Sequence, residues 1–558
     1  MSRNGGQILV DQLRIQGAEA VFSVPGESFL SVLDSLYELQ GEIRLVVARH
    51  EGGAANMADA HAKLTGKPGI CLVNRGPGAT QAAVGVHTAF QDSTPMLVLV
   101  GQGPLGFLGR ESFQEIDHRI FFSELTKWSG QIDRVDRIPE MIRRAYQIAL
   151  QGRPGPVALS LPEDVLAATA DVSDAAPHVV TRPHPSDADI ALVFEMLESA
   201  RRPLVIVGGG GWTADTSRLL RAFVETNQLP VVASFRCQDY LDNDSPSYIG
   251  YAGLAVHPVV AGAFQTADLV IAVGARLGEA STARYTLIDV HDQRQKLIHV
   301  HLGPEELGAV YRADLPINSG YEAFAGALAG HSPVDSSAWR DWADTLRSGY
   351  LDQLDPVEAP GDLNLASVVR HVSDRVPRDA IVTNGAGNFT VWAHRYHQFH
   401  EYRTQLGPTS GSMGYGVPAA VAAKIAAPDR VVICWTGDGD ASMSIMELAV
   451  AMQHGLDPII LLVDNGMLAT MRMHQERHYP GRVFGSELVN PDFVQLARSF
   501  GAHAELVERT EDFADAFERC LDADVASLLD LRLDPEQVTP TTTMSGERSD
   551  AEARKHSS

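Results

Sequence analysis

Residues 431–450 read VVICWTGDGDASMSIMELAV. An apolar run enters Gly437-Asp438-Gly439, and a helical pattern begins near Ser442. The run reads as a buried strand. In open α/β sheets the carboxyl ends of strands are where ligands bind. Asp-Gly is also ordinary turn chemistry, so this stretch alone fits either a plain turn or a ligand site.

The same texture extends outward. The N-terminal third alternates amphipathic stretches (GGQILVDQLRIQGA, SFLSVLDSLYEL) with short apolar ones (AVFSVPG, IRLVVARHE, PGICLVN, PMLVLVG). That alternation predicts βαβ units on a parallel sheet. A polar, Pro-rich stretch at 173–189 reads as a linker. A second unit contains RPLVIVGGGG, LPVVASF, ADLVIAVGARL and KLIHVHL, and a third AIVTN, VVICWT, PIILLVDN and ASLLDLRL. The fold class expected is α/β, with three doubly wound parallel-sheet domains over 1–172, 188–332 and 360–540. The polar residues 541–558 are expected to be a disordered tail.

The 558 residues carry 45 Lys and Arg against 70 Asp and Glu, a net charge of −25, which argues against nucleic-acid or anionic-membrane surfaces as partners. Cys71, Cys237, Cys434 and Cys520 form no CxxC pair, so neither a disulfide framework nor a zinc site is expected. MSRNGGQILVDQLRIQG lacks a signal-type apolar core, and no apolar run reaches the roughly 18 residues of a membrane span. A cytoplasmic protein is expected.

The GDG turn gains meaning from its partner strand. The helix SMSIMELAVAMQHG leads to the strand PIILLVDNGM, which ends at Asp464-Asn465. A right-handed crossover puts the two strand ends side by side. An Asp carboxylate, an Asn oxygen and a nearby carbonyl make a hard-oxygen set, suited to Mg²⁺ or Ca²⁺ and too oxygen-rich for structural zinc. Gly437 and Gly439 let the backbone come close, and the helix start favours an anion.

GDG, a spacer of 24 residues and then DN resembles the cofactor motif of thiamine diphosphate enzymes. The resemblance implies that Asp438, Asn465 and the carbonyl of Met467 hold Mg²⁺, which bridges the cofactor diphosphate. Asp464 stands where the family's usual pair has its first Asn. Asp440, where many relatives carry Ser, reads as a helix N-cap within the cofactor loop. Thiamine chemistry needs a carboxylic acid, kept protonated in an apolar pocket, against the pyrimidine ring. VVARHEGGAANMADAHAKLTGKPG resembles the family segment that supplies it and points to Glu51, whose other reading is a solvated helix start. By the same comparison Met443 wedges between the cofactor rings, although a Met there is more often core. GPTSGSMGYGVPAA resembles the pyrimidine-side loop, which assigns Gly411, Ser412 and Met413 to the cofactor, and TNGAGNFTVWA assigns Gly387, Asn388 and Phe389 to the diphosphate. Pro25, Gly26 and Gly76 complete the implied cofactor contacts.

Within that superfamily the chain is most similar, from about residue 5 to about 540, to the large catalytic subunits of acetolactate synthases. GPGAT, TAFQDSTPMLVLVGQ and ESFQEIDHRIFFSELTKW carry the resemblance, which sets Phe113 and Gln114 facing the reacting carbon. The paired histidines expected of a simple pyruvate decarboxylase are missing, and His118 stands alone. Three departures surround the acceptor pocket. Arg75 replaces a common Ser, Met471 lies in an altered ATM, and His474 stands where synthases that prefer 2-oxobutyrate have Trp. His474 reads equally as a proton shuttle or as a space-filling residue.

The resemblance implies decarboxylation and carboligation of 2-oxo acids, with pyruvate as donor. It also implies a homodimer or homotetramer with active sites at the subunit interface, and leaves a regulatory subunit unknown. Relatives bind FAD or ADP in the central domain. IVGGGG and AVGARLGEAST are not GxGxxG, so flavin stays open, with Arg276 as its contact. The alternatives are a flavin-dependent oxidase, a thiamine-dependent lyase or hydrolase on diketones or acyl-CoA, and a nucleotide-binding α/β protein without turnover.

Overall fold

Apolar runs of five to seven residues, each bounded by glycine or proline, become central strands because both of their faces are covered. In the computed structural model, which describes residues 2–557, every residue of Met96–Gln102, Pro203–Val207, Val432–Gly437 and Ile459–Asp464 is buried. Three six-stranded sheets result, parallel throughout. The first sheet runs Arg44–Val47, Ala20–Ser23, Gly69–Asn74, Met96–Gln102, Pro156–Pro162, Trp128–Gln131. The third runs Gln405–Leu406, Ile381–Asn384, Val432–Gly437, Ile459–Asp464, Ser527–Arg532, His503–Val507. Numbered within their own domains, both have strand order 2-1-3-4-6-5. The middle sheet, Tyr248–Tyr251 to Leu315–Asn318, has order 3-2-1-4-5-6, the dinucleotide-binding arrangement.

The chain divides into two compact units, Met1–Arg182 with Val421–Ala426, and Pro183–Ala420 with Ala427–Ser558. No helix among the described residues is long and apolar enough to cross a membrane. The four cysteines are buried, and none forms a disulfide.

Within the second unit a buried polar seam joins residues 236–243 to residues 385–408. Gln238 donates from its backbone to Gln405 Oε1 (2.8 Å) and from its side chain to the His394 carbonyl (2.8 Å). Asn243 and Phe399 exchange two hydrogen bonds. Asp239 Oδ2 accepts the amides of Thr404 (3.0 Å) and Gln405 (3.2 Å). Burial pushes the Asp239 carboxyl up from 3.8 to about 6. The native state therefore holds a proton here that the unfolded chain has lost between those pH values, and wild-type stability falls as pH rises through that window. The Asp239→Asn variant has no such step. Urea unfolding should show it gaining on wild type from pH 4 to pH 7, and a flat difference would refute the assignment.

Where 541–558 were expected to be a disordered tail, the described residues to 557 form ordered elements, and residue 558 lies outside the described residues. Gln537–Thr539 pairs with Thr542–Thr543, and a helix spans Met544–Ser557. Polar composition misled because the helix docks through ions. Arg548 grips the buried Glu476 through both carboxylate oxygens (2.6 and 2.8 Å), and Arg477 grips Glu547 (2.7 and 2.9 Å). Met544 adds an apolar contact with Val538 and Met473. Arg548, followed by the Gly481 amide and Arg472, holds Glu476 down at about 2. That contribution is present above the ordinary carboxylate range and is lost only as pH falls through about 2. Arg548→Ala should cost about 1–2 kcal/mol in urea unfolding at pH 7, because Arg548 is partly exposed and Glu476 keeps two other donors.

Candidate active site

The register of the third sheet builds the site. Gly437 pairs with Val463, so Asp438 and Asp464-Asn465 leave adjacent strands at the same end. Asn490, from the loop beyond, bridges the two carboxylates, donating to Asp438 Oδ2 (2.9 Å) and Asp464 Oδ1 (2.8 Å). Asp464 also pairs with Arg532 (3.2 Å). Among the described residues no cationic side chain pairs with Asp438. Burial first, and then the facing Asp464, raise its proton affinity. Asn465 Oδ1 is buried with no hydrogen-bond partner. A carboxylate short of positive charge and an orphaned amide oxygen are the donors a hard divalent cation takes. Met467 lies beside them, bridged to Glu487.

Asp440 is not the N-cap expected of it. The cap position of the helix Asp438–Ala441 is Gly437, and Asp440 lies inside the helix. Its buried carboxylate turns back to accept from the Gly414 amide (2.6 Å), the Thr436 hydroxyl (2.7 Å) and, more weakly, the Ala386 amide (3.4 Å). It thereby ties three segments of the cradle together. A side chain at Gly385 would run into this carboxylate, so only glycine fits there. From the middle domain, Arg236 donates to the Gly385 carbonyl (2.9 Å) and to the Pro408 carbonyl. The loops are thus held by an anion on their amides and a cation on their carbonyls. Neither Arg236 nor Asn490 was foreseen, since both lie in irregular segments without a periodic pattern.

Gly411 (φ 70°) closes a turn onto Pro408, and the Ser412 hydroxyl stays local, donating to the Met413 carbonyl (3.2 Å). The Met413 methyl group lies against Gly439. Met443, next to Gly414, is 62% exposed, so it is not a core residue. The Phe389 ring is buried in the core beneath Gly437 and Gly387, which leaves its backbone for a ligand. Asn388 accepts from the Thr470 hydroxyl (2.8 Å) and so meets the helix Ala469–His478. That helix carries Met471, 53% exposed, and His474. Desolvation and then the nearby Arg477, His478 and Arg284 lower the proton affinity of His474.

In the first unit, Glu51 starts the helix Glu51–Thr65 just past the strand Arg44–Val47. His50 caps that helix, its Nδ1 accepting from Gly52 (3.0 Å), which leaves the Glu51 carboxylate free of capping duty. Glu51 is half-buried and lies near Gly78 and Cys71. Burial, then the Glu51 charge, pushes the Cys71 thiol up to about 12. Pro25-Gly26 comes after the strand Ala20–Ser23, with Gly26 packed on Asn74. Gly76 donates to the Gln114 carbonyl (2.9 Å), and Phe113 is 71% exposed. His118 is buried against Ser160 (3.0 Å), and burial lowers it to about 4, so it is a neutral packing residue.

In the middle domain the Trp212 indole donates to the Gly208 carbonyl (2.9 Å) and the Tyr240 hydroxyl to the Gly209 carbonyl (2.6 Å). The glycine loops after the strands Pro203–Val207 and Leu269–Val273 touch each other through Gly209 and Gly274.

Comparison with known proteins agrees with the three-sheet architecture. Residues 3–120 match the family model described as thiamine pyrophosphate enzyme, N-terminal TPP binding domain; residues 190–328 match its central domain; residues 385–531 match its C-terminal TPP binding domain. The acetolactate synthase isozyme 2 large subunit of Escherichia coli (strain K12) is 32% identical over 538 residues, covering 95% of this chain and 96% of that protein. The acetolactate synthase large subunit of Corynebacterium glutamicum is 33% identical over 534 residues, 92% and 84% of the two chains. That of Lactococcus lactis is 30% identical over 524 residues, 92% and 89%. The chain belongs to the thiamine pyrophosphate enzymes, in the family of the acetolactate synthase large subunits.

Proposed function

We propose that this chain removes CO₂ from a 2-oxo acid, with pyruvate as donor, and joins the remaining two-carbon unit to the carbonyl of a second 2-oxo acid. The bond broken is C1–C2 of the donor. The bond formed links that C2 to the acceptor's carbonyl carbon, whose oxygen takes up a proton. Thiamine diphosphate, when bound, supplies the electron sink that lets CO₂ leave. The observation that carries the reading is Asp438 beside the orphaned Asn465 oxygen, at two strand ends that open onto a helix start.

The protein's own groups divide the remaining work. Asp438, Asn465 and the Met467 carbonyl would hold Mg²⁺ against the diphosphate, with the backbone of Gly437, Gly439 and residues 387–389 around it. Glu51 would hold the proton that the pyrimidine shares. Gly411, Ser412 and Met413 would line the pyrimidine, with Pro25, Gly26 and Gly76 on the other side. Met443, too exposed for core, would shape the cofactor. Phe113 and Gln114 would face the reacting carbon and Met471 and His474 the acceptor, with burial and then the nearby Arg477 lowering the proton affinity of His474. Residues 1–172 would then serve the pyrimidine and 360–540 the diphosphate, the two halves of each site coming from different copies in a homodimer or homotetramer. The reaction is redox-neutral, so it draws no electrons from a flavin, and whether the central domain holds FAD stays open.

The test is incubation of the protein with thiamine diphosphate, Mg²⁺ and pyruvate, tracking CO₂ and products by mass spectrometry. Acetolactate supports the whole reading. CO₂ without acetolactate moves the acceptor elsewhere, as the departure at His474 would allow. Cofactor binding with no CO₂ rules out pyruvate as donor.

A further inference from the structure

Arg236 lies just past the middle-domain strand Val231–Ala233, after Ser234 and Phe235. Ser234 is fixed by a hydroxyl bond to Ser281 (2.7 Å), and the backbone at Arg236 then turns left-handed (φ 61°). A non-glycine residue keeps that conformation where its surroundings over-determine it, and such residues cluster at functional sites. Here the turn sends a long cationic side chain into the third domain. Arg236 is buried, with its guanidinium 4.9 Å from the centre of the Phe235 ring.

The guanidinium meets two loops at once. It donates to the Gly385 carbonyl (2.9 Å) and to the Pro408 carbonyl. Both carbonyls are already engaged within their own segments. The Asn384 side chain donates to the Gly385 carbonyl (2.8 Å), and the Gly411 amide donates to that of Pro408 (2.9 Å). Each turn thus has an internal bond, and what Arg236 adds is a link between the two. The passage is narrow: a Cβ at Gly407 would lie 3.0 Å from Arg236 Cδ. The peptide joining Gly385 to Ala386 is held from both ends, its carbonyl by Arg236 and its amide by Asp440 (3.4 Å).

We propose that Arg236 is a positioning residue that sets the separation between the loop at 385–389 and the turn at 408–413, and so pre-forms the site for a cofactor that spans both. The proposal rests on the assignment above of the first loop to the diphosphate and of the second to the pyrimidine. A ligand that touches both segments gains affinity when their spacing is fixed beforehand, and a ligand that touches one does not. A planar guanidinium suits the task because it donates in fixed directions to two carbonyls, whereas Lys offers a single mobile ammonium.

The test titrates wild type, Arg236→Met and Arg236→Lys by calorimetry in Mg²⁺ with two probes. One is thiamine diphosphate; the other is inorganic pyrophosphate, which is too short to reach the pyrimidine side. Arg236→Met should bind thiamine diphosphate about thirtyfold more weakly and pyrophosphate within roughly threefold of wild type, with Arg236→Lys between the two proteins for the first probe. Hydrogen exchange of residues 405–414 should quicken in the same order. Unchanged affinity for thiamine diphosphate overturns the proposal, and so does an equal loss for both probes, which would make Arg236 a merely structural residue. If Arg236→Met does not fold, Arg236→Lys decides alone: wild-type affinity for thiamine diphosphate in that variant overturns the proposal. Wild type that binds neither probe sinks the site assignment first, and the role of Arg236 with it.

Discussion

Glu51→Gln should lower kcat by about a thousandfold while leaving thiamine diphosphate binding within roughly threefold of wild type. The amide matches the carboxyl in shape and can still donate a hydrogen bond. It cannot hold and return a proton. His50 supports the split between binding and chemistry: it caps the helix itself, so Glu51 can change without unravelling the helix start. The measurement pairs steady-state turnover with cofactor titration by fluorescence quenching. A variant that keeps full turnover would remove Glu51 from the chemistry. One that loses cofactor binding as steeply as turnover would reassign it to binding.

The sequence and the structure agree where a physical signal is periodic, and part where it is not. Strands buried on both faces are apolar throughout, so the runs at 203–207, 432–437 and 459–464 were visible as strands, and their alternation with helices as parallel sheets. The shared strand order of the first and third sheets was not visible, because order depends on which face each crossover takes. Asp438 and Asn465 could be paired from spacing, since one crossover joins their strands. Asn490 could not, since it comes from a loop with no pattern. Asp440 was misread for a specific reason. An Asp near a helix start resembles a cap in sequence, whereas here three donors from elsewhere in the third domain turn its side chain away. The tail misled in the opposite sense. Low hydrophobicity usually means disorder, but two arginine forks onto carboxylates order a helix with little apolar surface.

Asp438→Asn should abolish metal-dependent retention of the cofactor, weakening thiamine diphosphate binding in the presence of Mg²⁺ by about a hundredfold or more, while making the metal-free protein more stable. Both halves arise from one geometry. Asp438 and Asp464 share the single Asn490 amide, and Asp464 also has Arg532, so without metal Asp438 carries the uncompensated buried charge. Removing that charge relieves repulsion, with an expected gain of about 1 kcal/mol. A divalent cation placed there converts the same repulsion into binding, and the unpartnered Asn465 oxygen becomes a ligand instead of a cost. Thermal unfolding with and without Mg²⁺ reads both effects without any turnover. Wild type should be stabilised by Mg²⁺ plus cofactor and Asp438→Asn should not, yet the variant should unfold at the higher temperature when metal is absent. An Asp438→Asn protein that still gains the full Mg²⁺-dependent shift would place the metal elsewhere. One that is less stable than wild type without metal would mean that Asp438 holds the fold together, in which case its carboxylate is structural and the thiamine site must be anchored by other groups.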